Sequence, residues 1–233
     1  VPAARERRDA ARRLWNAARP LAASPAAAYL AARAITDLAV CASLRFHPTC
    51  HYRADTANPR RASHPALIAA VSAGSGEVTG IQRTYLAPGA NGTDEWCKAP
   101  LPDTRKAMGQ LLGNGVRFGE AGRVMALGEG IETVLSLRQV LPGLPMIAGL
   151  SAAHMAAIEL PPSLARLYVA LDRDAAGAHA LERLRARCRP ELEIIALWPL
   201  RGDFNEDLVE LGRHAFALRL REQLQDRDRD RLA

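Results

Sequence analysis

The chain has 233 residues, 48% of them hydrophobic, which is enough for one large or two modest domains and too apolar for disorder to be the default. No apolar run approaches the roughly 20 residues of a membrane span, and the basic residues 1–8 are not followed by the apolar core of a signal peptide, so a soluble, cytoplasmic protein without membrane contact is expected. A formal charge of +6, from 31 Lys and Arg against 25 Asp and Glu, suits a polyanionic partner, although Arg- and Ala-rich composition also follows from GC-rich coding DNA.

In chain order, residues 5–18 have helical periodicity with Leu14 and Trp15 on one side, and Ser24-Pro25 is an N-cap and first-turn pair for a helix over 26–33. A loop-rich stretch marked by Pro48, Pro59 and Pro65 is expected next. Its His47, Cys50 and His51 are the only dense patch of soft ligands, and the four cysteines, Cys41, Cys50, Cys97 and Cys188, form no C-x-x-C pair, so no zinc site is evident. Residues 66–71 and 78–86, joined by Ala73-Gly74-Ser75-Gly76, predict a β-hairpin whose returning strand carries Gln82 and Arg83. Residues 88–102 read as irregular and hold Trp96 and Lys98. Arg105-Lys106 opens an expected helical piece ending at Gly113-Asn114-Gly115, and Val116-Arg117-Phe118 reads as a strand.

From Arg123 onward strands and helices alternate, the signature of βαβ units and a parallel sheet. The expected order is strand 123–128, helix 130–140, strand 145–149, helix 152–158, strand 166–172, helix 175–187, strand 192–198 and helix 205–224. The alternating charges of residues 226–231 are expected to fray into solvent. The division that follows is a helical segment over 1–40, a smaller α+β subdomain over 41–120, an α/β domain over 121–212, and a C-terminal helix with a charged tail over 213–233.

Carboxylates stand at the carboxyl ends of the predicted strands, where parallel α/β sheets bind ligands. Gly128-Glu129-Gly130-Ile131-Glu132-Thr133 follows one apolar run, Asp172-Arg173-Asp174-Ala175-Ala176-Gly177 another, and Gly202-Asp203-Phe204-Asn205-Glu206-Asp207 a third. Like charges gathered in a partly desolvated cleft repel, and a divalent cation would relieve them. Hard carboxylate oxygens suit Mg²⁺ or Mn²⁺, which also take oxygens from phosphate. Singly, each acid has a plainer reading: Asp174 and Asn205 fit helix N-caps, and Glu132 fits a first-turn acid favoured by the helix dipole.

Glu129-Gly130-Ile131-Glu132-Thr133 together with Asp172-Arg173-Asp174-Ala175-Ala176-Gly177 resembles the Toprim domain, the metal-binding fold shared by bacterial-type primases, type IA and II topoisomerases and certain nucleases. Residues 128–136 are closest to the E-G-x-x-T-A version of phage- and plasmid-borne primases. Residues 202–207 are similar to the third acidic motif of primases, with Asn205 where an acid is common and Asp207 close by. The stretches 64–71, 80–86 and 106–118 resemble the amino-terminal half of the primase catalytic core, a half that topoisomerases and small Toprim nucleases lack.

This resemblance implies a DNA primase core that joins ribonucleotides on single-stranded DNA, using one or two Mg²⁺ or Mn²⁺ ions. Metal ligands would be Asp172, Asp174 and Asp203, with Glu129 as general base or additional ligand. Arg83, Lys98 and Lys106 would contact the triphosphate or the template. Two other readings stay open: a metal-dependent nuclease, and a non-catalytic nucleic-acid-binding module of a replication or mobile-element protein. Neither the zinc-binding pattern that usually precedes such a core nor a G-x-x-x-x-G-K-[ST] motor loop occurs in these 233 residues, so the expectation is either a fragment of a longer protein or a chain that works with a zinc-binding domain and a replicative helicase as partners.

Overall fold

A computed structural model describes residues 2–38, 41–54, 61–89 and 95–232. The elements in order are α1 (Pro2–Ala17), β1 (Arg19–Pro20), α2 (Pro25–Ala31), β2 (Leu44–Arg53), β3 (Arg61–Ser72), β4 (Val78–Pro88), β5 (Trp96–Lys98), β6 (Arg105–Gly109) and β7 (Val116–Phe118). They continue with β8 (Val124–Gly128), α3 (Ile131–Arg138), β9 (Met146–Ala148), α4 (Ala152–Ala157), β10 (Arg166–Ala170), α5 (Ala175–Arg187), β11 (Glu193–Leu197), α6 (Phe204–Gln223) and a 3₁₀ turn over Asp226–Arg231.

Two sheets result. The first runs β1-β2-β3-β4, with β5 and β6 both paired to β4, and all of its pairings are antiparallel. The second runs β11-β10-β8-β9-β7, parallel except for β7 at its edge. Side chains of the second sheet divide by the period-2 rule. Ala126, Tyr168 and Ala170 join one core with α3, α6 and the inner face of the first sheet, whereas Met125, Leu127, Leu167 and Val169 join another with α4 and α5. A third cluster, including Ala11, Cys50, Tyr52, Ile68, Ile81 and Tyr85, fills the space between α1 and the outer face of the first sheet. The expected Ser24 cap is present, its hydroxyl accepting from the Ala27 N–H at 3.3 Å.

Three expectations need correction. The stretch around Pro48 is not a loop, because Leu44, Phe46, Cys50 and Tyr52 bury alternately in β2, and Pro48 and Thr49 fall where the register shifts between His47 and Cys50. A bulge is where a strand tolerates proline; Pro59 lies outside the described residues. The helical piece at Arg105 is strand β6 instead. The open edge of β4 captures it from Gly80↔Gly109 to Thr84↔Arg105, and the backbones come so close at Gly109 (φ 114°) that a Cβ there would lie 2.5 Å from the Gly80 Cα. The charged tail docks rather than frays: Asp228 is buried and its carboxylate accepts from Arg166 Nη1 at 2.5 Å and the Tyr168 hydroxyl at 2.7 Å. Sequence alternation hid this because only Asp228 of the run meets a buried arginine.

Candidate active site

The site is built by the ends of three parallel strands. Ala170 is in register with Gly128 on one side and Leu197 on the other, so β8, β10 and β11 end flush. The chain leaves β8 at Glu129 and β10 through Leu171 to Asp172, and it returns to the same rim at Asp203, the N-cap of α6. Backbone bonds fix these exits: Leu150 N–H donates to the Glu129 carbonyl at 2.8 Å, Arg173 N–H to that of Gly202 at 3.1 Å, and Asp174 N–H to that of Asp172 at 2.8 Å. Gly128 is required here, since a Cβ would lie 2.9 Å from Val134 Cγ2.

Glu129, Asp172 and Asp203 line one cleft of about 90 Å³, shared with Arg33, Lys98 and Arg105. Burial, and then the charges of Glu129, Asp203 and Asp174, push the Asp172 carboxyl up to about 6, with partial relief from Arg105. Glu129 is raised too, by burial first and by Asp174 second, again against Arg105. The Asp172 Oδ1 atom is buried without a hydrogen-bond partner. Buried polar atoms are rarely left so, and an orphaned carboxylate oxygen beside other acids is the mark of a cation site.

The remaining predicted residues fall in different places. Asp174 caps α5, its Oδ1 accepting from the Gly177 N–H at 2.7 Å, and it contributes its charge to Glu129 and Asp172 from outside the cleft lining. Asn205 turns its side chain to Arg33 and Ser136, donating to the Arg33 carbonyl (2.9 Å) and Ser136 Oγ (3.0 Å) and accepting from Arg33 Nη1 (3.0 Å), while its backbone N–H donates to Asp203 Oδ1 at 2.8 Å. Asp207 is buried as a loop anchor, accepting from the N–H groups of Leu200 and Arg201 at 2.6 and 2.9 Å. Of the three cations, only Lys98 reaches the cleft. Arg83 and Lys106 are cross-strand partners on the outer face, where Arg83 lies 5.9 Å from the Tyr85 ring centre and Lys106 lies 5.5 Å from that of Tyr52, with Asp103 at 3.3 Å.

Residues that the sequence reading passed over complete the cleft. Arg105 reaches it because neighbours in a strand face opposite ways, so Lys106 points outward as Arg105 points in. Glu132 is buried and bonded to the Tyr29 hydroxyl at 2.7 Å and to Lys98 Nζ at 3.3 Å. Burial pushes its carboxyl up, but Lys98, Tyr29 and Arg105 outweigh that and hold it below the usual carboxylate range. Arg105-Lys106-Ala107-Met108 does not alternate polar and apolar residues, so nothing local signals the strand, and nothing local in the sequence joins Tyr29 to Glu132.

Among the described residues, no three His, Cys, Asp or Glu side chains are placed so that they could hold a metal ion as they stand. The donor chemistry nonetheless fits a hard divalent ion, since Glu129, Asp172 and Asp203 are all oxygen donors, they share one cleft, and one oxygen lacks a partner.

Residues 5–118 match a family described as a domain of unknown function (DUF7146), and residues 124–214 match the Toprim domain family. No curated protein matches the sequence. Among solved structures, the fold is similar to the primase of Aquifex aeolicus (zinc-binding and RNA polymerase domains), with 14% identity over 88% of this chain and 57% of that one and a TM-score of 0.54. It is similar to the Escherichia coli primase catalytic core, with 16% identity, 88% and 75% coverage and a TM-score of 0.53. A third similar structure is the DnaG primase catalytic domain bound to single-stranded DNA, with 16% identity, 87% and 74% coverage and a TM-score of 0.54. At such identities the likeness is one of fold, and it extends across both sheets. Among the described residues, no helix is long and apolar enough to cross a membrane.

Proposed function

We propose that this chain, which carries a Toprim domain within the fold of a primase catalytic core, synthesises short RNA primers on single-stranded DNA by metal-dependent nucleotidyl transfer. The observation that carries the reading is the convergence of Glu129, Asp172 and Asp203 on one cleft, with Asp174 close enough to raise two of them.

In this reading Glu129, Asp172 and Asp203 hold the divalent ion, and Asp174 supplies a fourth negative charge at the rim. A bound Mg²⁺ or Mn²⁺ supplies neutralisation of triphosphate charge and a lowered pKa for the attacking 3′-hydroxyl. The protein's own part is positioning. Lys98 and Arg105 face the acids from the first sheet and are aimed at phosphate oxygens, so a nucleotide bridges the two halves of the fold. Arg83 and Lys106, on the other face, are assigned to template phosphates at a distance from the reacting atoms. A zinc-binding domain and a replicative helicase are the proposed protein partners.

The test is incubation with labelled single-stranded DNA, the four NTPs and Mg²⁺ or Mn²⁺. New short RNA supports the proposal when Asp172→Ala abolishes it with a native circular dichroism spectrum. Shortened DNA in place of new RNA assigns the acids to a nuclease, and DNA binding without product under either metal leaves only a binding module.

A further inference from the structure

One wall of the acid cleft is held from behind by a residue outside the proposed chemistry. Tyr29, fully buried on α2, donates its hydroxyl to Glu132 Oε1 at 2.7 Å, and Lys98 Nζ faces the same oxygen at 3.3 Å. A single carboxylate oxygen thus serves a neutral donor and an ammonium at once, where α2, β5 and the first turn of α3 meet. The neutral donor is the closer of the two. A charge-assisted N–H···O bond ordinarily closes to about 2.7–2.9 Å, so the ammonium stands back from its own counter-charge. Burial first, and then the charge of Glu132, push the Tyr29 hydroxyl far above its usual range, so it keeps its proton and remains a donor at any working pH. The same tyrosine also serves a second cation of the cleft: Arg33 Cζ lies 5.0 Å from its ring centre.

We propose that Tyr29 is a positioning residue for the triphosphate: by occupying Glu132 Oε1 it keeps the Lys98 ammonium turned to the cleft, where it takes a phosphate oxygen. The inference deepens the primase reading and rests on it. Tyr29 is not among the residues that line the cleft, so it acts through Glu132 and Lys98 and touches neither ion nor nucleotide. An ammonium carries three donors, and the bond to Glu132 uses one, which leaves the others for phosphate. The buried charge of Glu132 has to be compensated. With the hydroxyl gone, Lys98 is its one remaining direct side-chain partner among the described residues, so the ammonium is drawn to the shorter charge-assisted distance and away from the substrate.

Calorimetry in Mg²⁺ with ATP and with inorganic tripolyphosphate tests this on the full chain, well below its melting temperature. Tyr29→Phe removes one oxygen and keeps the ring beside Arg33, and it should weaken both ligands by about fivefold, the scale of one hydrogen bond, with single-stranded DNA affinity unchanged. A double-mutant cycle separates positioning from packing. In a Lys98→Met background Tyr29→Phe should cost nothing further, because the ammonium it steers is gone. Should Lys98→Met not fold, Glu132→Gln is the alternative background: it carries no charge to draw Lys98 in, and the loss should vanish there too. A fivefold loss that persists in the background used makes Tyr29 merely structural and overturns the inference, as does equal binding by the parent and Tyr29→Phe; either result leaves the primase reading standing. A parent that binds neither ATP nor tripolyphosphate removes the primase reading and this inference together.

Discussion

Asp172→Asn should inactivate the protein and at the same time stabilise it. The Asp172 carboxyl sits at about 6 against an ordinary 3.8, pushed there by burial and by Glu129, Asp203 and Asp174. A shift of that size corresponds to about 3 kcal/mol if fully felt, and screening of a half-buried group reduces it to about 1–2 kcal/mol. The sign follows from linkage. Between the two values the folded protein holds a proton that the unfolded chain has lost, so stability falls as pH rises from about 4 to about 6 and stays lowered above that. An asparagine carries no charge, and its amide can donate to the neighbouring acids, so at pH 7.5 the variant should melt about 2–6 °C higher in metal-free buffer. Urea or thermal denaturation at pH 4.5 and 7.5, with and without Mg²⁺, reads the effect. The gain should fall to about a third at the lower pH, and Mg²⁺ should stabilise the parent more than the variant. A variant no more stable than the parent at pH 7.5 would refute the claim that the acids repel one another across this cleft.

Other consequences follow from the same packing. Glu132→Gln removes the counter-charge of Lys98, so it should cost about 2 kcal/mol in urea denaturation at pH 7 and raise the KM for NTPs. Asp228→Ala removes one of the two carboxylates that hold Arg166, whose side chain is 6% exposed, and leaves Glu193 on its Nε at 2.7 Å, so it should cost about 2–3 kcal/mol by the same measurement although the site lies elsewhere. Arg105→Ala should raise the KM for NTPs with little change in template affinity, and Lys106→Ala should do the reverse; steady-state kinetics and DNA titration at fixed salt separate them. Gly149→Ala would place a Cβ 2.7 Å from the Met155 Cα, shifting α4 and lowering the melting temperature.

The α/β half of the fold was legible because each of its elements has its own period. The helix expected over 175–187 is α5 residue for residue, and strands β8, β10 and β11 lie within their predicted ranges. The first sheet was harder. The prolines near β2 and the Arg105-Lys106 start of β6 have weak local signals, and their conformation is decided by the neighbouring strands β3 and β4. The same holds at the site. Glu129, Asp172 and Asp203 could be found from their places after apolar runs, but their charge does not tell which acids also serve the backbone: Asp203 and Asp174 both cap helices, and Asp207 anchors a loop. Arg33, Arg105 and the Tyr29–Glu132–Lys98 chain were out of reach because each arises where the two sheets meet. A buried tyrosine 103 positions from its carboxylate partner leaves no trace in local sequence.

The most direct measurement is anomalous diffraction from a crystal soaked in Mn²⁺. The account predicts a peak bounded by the carboxylates of Glu129, Asp172 and Asp203, absent from crystals of Asp172→Asn. A parent crystal with full Mn²⁺ exposure and no peak among those three acids would contradict it.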